Sequence, residues 1–214
     1  SQHKAIKFLS ETCQKKPVHF IVESDVSAFF DNISPERLMK YVAEKIDDER
    51  FLRFLNQLLQ VDLLKNGRTD KQNLGIVQGA NLSPLFSNIY LHNILDTYFE
   101  NELKPQYKGF VQLIRYGDDF IFCVENESEA YRILESTRER LASFGLSLKA
   151  KKTRIIPFGE SACRAAQFTQ QKLDTFDFLG FTIRAYLTNS GKFKVGIITS
   201  FSRFVVKLRK MREW

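Results

Sequence analysis

The chain has 214 residues, long enough for one sizeable domain with a hydrophobic core, and its 43% apolar and 27% charged residues place it among globular proteins. The 32 basic residues against 25 acidic ones leave a net charge of +7, which fits polyanionic partners and equally fits a basic domain that has none. Cys13, Cys123 and Cys163 are far apart with no CxxC or Cys/His cluster, which excludes a disulfide framework and a zinc site, and no apolar run is long enough to cross a bilayer, so the cytoplasm is the expected compartment.

In chain order, "HKAIKFLSETCQKK" predicts an opening helix. "VHFIVESDV" (18–26) is rich in β-branched and aromatic residues and predicts a strand, with Ile21, Glu23 and Asp25 on one face and Val22, Ser24 and Val26 on the other. "AFFDNI" is a tight exit. Ser34-Pro35 then supplies an N-cap and a first-turn proline for a helix over "ERLMKYVAEKI". A second helix is expected over "DERFLRFLNQLLQ", and a polar hairpin or loop over "KNGRTDKQN". A glycine-rich "GIVQGAN" leads into a long helix whose apolar set is Leu82, Leu85, Phe86, Ile89, Ile94, Leu95, Tyr98 and Phe99. Residues 110–123 predict a hairpin broken at "YGDD". "ESEAYRILESTRERLASFG" is an amphipathic helix with Ala130, Leu134, Leu141 and Phe144 on one stripe. "LSLKAKKTRIIPF" and "FDFLGFTIRAYL" read as strands around a loop, "KFKVGII" as another strand, and "SRFVVKLRKMREW" as a closing helix. This order predicts an α+β domain, one antiparallel-leaning sheet with helices on one face.

The chemistry rests on three aspartates. Asp25 falls near a strand end, and Asp118 and Asp119 fall at a hairpin tip, positions that a sheet can bring together. Clustered carboxylates repel unless a cation neutralises them, and hard oxygen ligands suit Mg²⁺, with Mn²⁺ as a substitute. Two such ions, roughly 4 Å apart, clamp the attacking and leaving oxygens of an in-line phosphoryl displacement. On its own, Gly117-Asp118 is also an ordinary hairpin turn pair.

Five blocks in order make the larger pattern. "DVSAFFDNI" begins at Asp25, "GIVQGANLSPLFSNIYL" at Gly75, "YGDD" at Tyr116, "GLSLKAKKT" at Gly145 and "FDFLGF" at Phe176. Together they resemble the polymerase palm of reverse transcriptases, nearest to the bacterial group II intron-encoded type, from about residue 18 to about residue 198. The resemblance implies a palm of antiparallel sheet backed by helices, with partial fingers, over residues 1–200, and the start of a thumb or connecting helix over 201–214. It implies an RNA-directed DNA polymerase using two Mg²⁺ ions, an RNA template with a DNA or RNA primer, and deoxynucleoside triphosphates. Asp25, Asp118 and Asp119 would hold the metals. Phe30 would lie under the sugar of the incoming nucleotide and leave no room for a 2′-hydroxyl. Gln78 and Gly79 would shape the nucleotide pocket, Lys152 would meet the leaving phosphate, and Leu179 and Gly180 would form the primer grip.

Two rivals stay open on the sequence. Gly117 stands where group II-type relatives usually carry alanine, and "GDD" also marks RNA-dependent RNA polymerases; the Phe29-Phe30 pair and "QGANLSP" speak for the reverse transcriptases. A non-catalytic nucleic-acid-binding palm is the other, and it would gain nothing from clustered acid. Only about two dozen residues precede Asp25, so most of the fingers region is expected to lie outside this chain. A palm-centred fragment of this kind is expected to be weak or inactive alone.

Overall fold

The structure is a computed structural model, and it describes residues 1–65, 76 and 82–212. Its centre is a four-stranded antiparallel sheet in the order β3-β4-β1-β6, formed by β1 (Phe20–Ser24), β3 (Val111–Tyr116), β4 (Asp119–Val124) and β6 (Arg154–Pro157). The alternation in "FIVES" has the expected result. Val22 packs with Phe120, Phe122 and Val124 on one face, and Ile21 packs with Ile121, Cys123 and Ile156 on the other.

The first face is covered by helices, as the sequence predicts. These are α3 (Pro35–Ala43), α4 (Glu49–Lys65), α5 (Ser83–Leu91) and α6 (Glu127–Ala142), which contribute Leu38, Leu55, Tyr90 and Ile133 to the core. Ser34 caps α3 by accepting from the Arg37 N–H at 3.3 Å, with Pro35 in the first turn. Asp48 caps α4 by accepting from the N–H groups of Arg50 and Phe51. The chain beyond α5 stays helical through two wide turns, His92–Asp96 and Phe99–Leu103, in which the N–H of Thr97 reaches the carbonyl of His92 and that of Lys104 reaches Phe99. Leu85, expected on the apolar stripe, is 55% exposed, and Tyr90 and Leu91 are buried in its stead.

The second face is covered as well. It carries α1 (Gln2–Lys15) through Ile6 and Leu9, and a second, three-stranded antiparallel sheet of β7 (Phe176–Phe178), β8 (Phe181–Leu187) and β9 (Phe193–Thr199) through Phe176, Phe178 and Ile183. The expected loop between strands is instead α7 (Gly159–Thr169), which packs on β8 and β9. It begins without a side-chain cap, at Gly159 with φ +83°, where a β-carbon would lie 2.3 Å from the Val18 carbonyl oxygen. The tight exit "AFFDNI" contains a single helical turn, α2 (Phe29–Asn32). The chain ends in α8 (Phe201–Arg212). Among the described residues no helix is long and apolar enough to cross a membrane.

Candidate active site

A two-strand ladder of β2 (Val26–Ser27) and β5 (Ser147–Leu148) fixes the corner of the site that holds Asp25. The ladder continues in the Lys149 N–H, which donates to the Asp25 carbonyl at 2.8 Å. A short helical turn over Ala150–Lys152 then brings two ammonium groups back onto the Asp25 carboxylate. Lys149 Nζ lies 3.0 Å from Oδ1 and Lys152 Nζ 2.8 Å from Oδ2. Burial pushes the Asp25 carboxyl up, but the hydrogen bonds and charges of Lys152 and Lys149 outweigh it and hold the group below its ordinary value. The same hydrogen bond to Asp25 raises the pKa of Lys152, with Asp119 and Glu23 adding to the effect.

Asp25 and Asp119 share a cleft of about 430 Å³. Glu23, Lys151, Lys152 and Arg154 line it with them, and Thr175, Asp177 and Phe178 form its far wall. Arg154 ties the two walls, donating to Glu23 at 2.7 Å and to the Thr175 carbonyl at 2.8 Å. Asp119 arrives here because it opens β4 opposite Tyr116, on the same side as Ile121 and Cys123. Gly117 and Asp118 form the two-residue turn between the strands. Gly117 has φ +66°, a value that suits glycine at the first position of a type II′ hairpin turn. Asp118 is half-buried on this turn, next to the cleft rather than among its lining residues.

The hairpin of β7 and β8 closes the cleft from the other side. Leu179 and Gly180 are its two turn residues, at φ +53° and +80°, and Leu179 is only 3% exposed. Phe30 is half-buried, edge-to-face against Phe29 with ring centroids 5.3 Å apart. Its carbonyl accepts from the Ile76 N–H at 2.7 Å, which anchors one residue of the segment that begins at Gly75. Gln78 and Gly79 lie outside the described residues.

Sequence reasoning passed over Lys149 and Arg154. The signals were present: Lys149 sits in the same basic run as Lys152, and Glu23, the partner of Arg154, shares the strand face of Asp25. Among the described residues no group of three or more His, Cys, Asp or Glu side chains is already gathered closely enough to hold a metal ion. The donor set nonetheless fits Mg²⁺ or Mn²⁺. Asp25, Asp118 and Asp119 offer only hard carboxylate oxygens, and Mg²⁺ takes one or two carboxylates while keeping several waters.

Comparison with known proteins bears on the family and the fold. The family model described as reverse transcriptase (RNA-dependent DNA polymerase) matches residues 1–183. Protein YkfC of Escherichia coli is 28% identical over 179 residues, a match covering 71% of this chain and 47% of YkfC. The group II intron-encoded protein LtrA of Lactococcus lactis is 29% identical over 150 residues, covering 65% of this chain and 25% of LtrA. The chain thus spans less than half the length of these relatives. The structure of apo telomerase from Candida tropicalis truncated from its C-terminal domain superposes with a TM-score of 0.56 at 20% identity, over 86% of this chain and 38% of that one, and so shares the palm-type fold. With its family model matched over most of its length, the chain belongs to the reverse transcriptase (RNA-dependent DNA polymerase) family, among relatives encoded by group II introns.

Proposed function

We propose that this chain is the palm-centred part of an RNA-directed DNA polymerase, which adds deoxynucleotides to the 3′-hydroxyl of a DNA or RNA primer on an RNA template. The observation that carries this reading is the meeting of Asp25 and Asp119 in one cleft, with Asp118 on the adjoining turn. In this reading residues 1–200 are palm with a remnant of fingers, residues 201–214 begin a thumb or connecting helix, and the cytoplasm is the working compartment.

Asp25, Asp118 and Asp119 would hold two Mg²⁺ ions, with Mn²⁺ as a substitute, which would supply activation of the primer hydroxyl and charge neutralisation at the pyrophosphate leaving group. The chain's own residues do the rest. Lys152 is protonated at neutral pH, as lysines ordinarily are, and its carboxylate neighbours hold the proton more tightly, so it offers the leaving phosphate a charged hydrogen-bond donor. Phe30, wedged against Phe29, closes the space a 2′-hydroxyl would need. Gln78 and Gly79 line the nucleotide pocket. Leu179 and Gly180 support the primer end at the far wall of the cleft.

The test is primer extension by the full-length protein on a primed RNA template, with deoxy- and ribonucleotides offered separately. Deoxynucleotide addition that disappears in Asp25→Asn, while template binding persists, is the expected result. A wild-type preference for ribonucleotides, or binding without any addition that Asp25→Asn leaves unchanged, overturns the reading.

A further inference from the structure

The hairpin that bears Asp118 and Asp119 is held from behind. Arg115 is the last residue but one of β3 and lies opposite Phe120 in the ladder, on the helix-covered face of the sheet, while Asp119 emerges on the other face. Its guanidinium makes four hydrogen bonds. Nε donates to Asp96 Oδ1 at 2.7 Å, and Nη2 donates to Asp96 Oδ2. Nη1 donates to the Asn88 side-chain oxygen at 2.9 Å and to the Gly117 carbonyl at 2.8 Å. The side chain is 11% exposed and that of Asp96 26%, so this fork-to-fork pair is shielded from water far more than the surface pairs of this chain. Asn88 is pre-oriented, because its amide nitrogen is committed to the Pro84 carbonyl at 2.9 Å, which leaves its oxygen for Arg115.

A cation next to a pair of functional carboxylates would ordinarily be read as their counter-charge. Here the Arg115 charge is matched by Asp96, and the cation whose charge acts with Asp119 is Lys152 on the opposite face. What remains for Arg115 is geometry. The Gly117 carbonyl is the peptide group immediately before Asp118, so holding it sets the plane from which both carboxylates project. The holder is built on α5, which carries Asn88, and on the wide turn His92–Asp96 that follows it and carries Asp96.

We propose that Arg115 is a positioning residue, which clamps the Gly117 carbonyl to Asn88 and Asp96 and thereby aims Asp118 and Asp119 at the metal ions. The inference rests on the polymerase reading. Its test is Mn²⁺ affinity of the folded chain, read from the electron paramagnetic resonance signal of free Mn²⁺, with circular dichroism to confirm folding. Arg115→Lys keeps one cation but cannot span three partners, so its Mn²⁺ affinity is expected to fall about tenfold or more, as for other groups that orient metal ligands. Its primer extension is expected to lose kcat with little change in KM for the deoxynucleotide. Should Arg115→Lys fail to fold, the uncharged pair Arg115→Gln with Asp96→Asn, which leaves no half-buried charge unpaired, takes its place with the same expectation. A folded variant with wild-type Mn²⁺ affinity overturns the clamp. If the wild-type chain binds Mn²⁺ and Asp118→Asn does not, that failure belongs to Arg115 alone. A wild-type chain that binds no Mn²⁺ overturns the polymerase reading and the clamp together.

Discussion

Two hairpins face each other across the cleft, and they are stabilised in opposite ways. Both close on two-residue turns with positive φ. The β3–β4 turn uses glycine at that position and stays near the surface, and a half-buried ion pair behind it grips its backbone. The β7–β8 turn puts Leu179 at φ +53° and buries it to 3% exposure in the second core. A left-handed conformation costs a leucine on the order of 1–2 kcal/mol, which burial of its side chain offsets. The difference teaches that a turn presenting charge must be fixed by polar contacts from outside. A turn presenting only backbone and shape can be fixed by its own hydrophobic anchor.

The comparison breaks most sharply at the charged turn. Asp118→Asn is expected to lower nucleotide addition about a thousandfold or more, with no measurable fall in the urea midpoint. Leu179→Ala should do the reverse at the other turn. It loses about 2–5 kcal/mol of stability, read in urea denaturation, while Mn²⁺ affinity of the remaining folded protein holds. Equal stability losses in the two variants would dissolve the distinction. Phe30→Ala, outside both hairpins, should relax the choice between ribo- and deoxynucleotides without costing more than about 2 kcal/mol of stability, since the ring is only half-buried. The ratio of kcat/KM for the two sugars is the readout.

Smaller effects sharpen the picture. The Asp25 pKa is depressed, so the stability from its lysine pair is present above the ordinary carboxylate range and is lost as pH falls through the depressed value. The Lys152 pKa is raised, so its contribution is present below about pH 10 and is lost as pH rises through the raised value. Lys152→Met should therefore trail the wild type by less than about 1 kcal/mol near neutral pH, because Lys152 is 65% exposed, and the gap should close at both extremes. Gly117→Ala should fold and cost about 1 kcal/mol. The backbone conformation is the obstacle there, since no atom lies within 4 Å of where the β-carbon would sit.

Local rules made much of this legible. The alternation before Asp25 and the break at Gly117-Asp118 put Asp25 just past a strand end and Asp118 on a hairpin turn, as the structure has them, because a half-buried strand states its faces in every second letter. Ser34-Pro35 announced α3. The helix at 159–169 was hidden because it starts on a strained glycine with no capping side chain, so none of the usual start signals precedes it. The double pairing of Asp25 was hidden for another reason. It depends on a ladder of two residues per strand, too short to show any period, between segments far apart in sequence. The Arg115 clamp joins three elements and had no local signature at all.

The wide turns after α5 have a consequence for how this chain tolerates change. Each admits one residue more than an α-helical turn would, so the helix downstream runs out of phase with the helix upstream. Asp96 lies inside the first of them and meets Arg115 only at the present phase. One residue removed between His92 and Asp96 would be absorbed by closing the first wide turn to an ordinary α-helical one, with Phe99 and Leu103 downstream kept in the core. The wide turns thus give this segment slack in its length that a regular helix lacks.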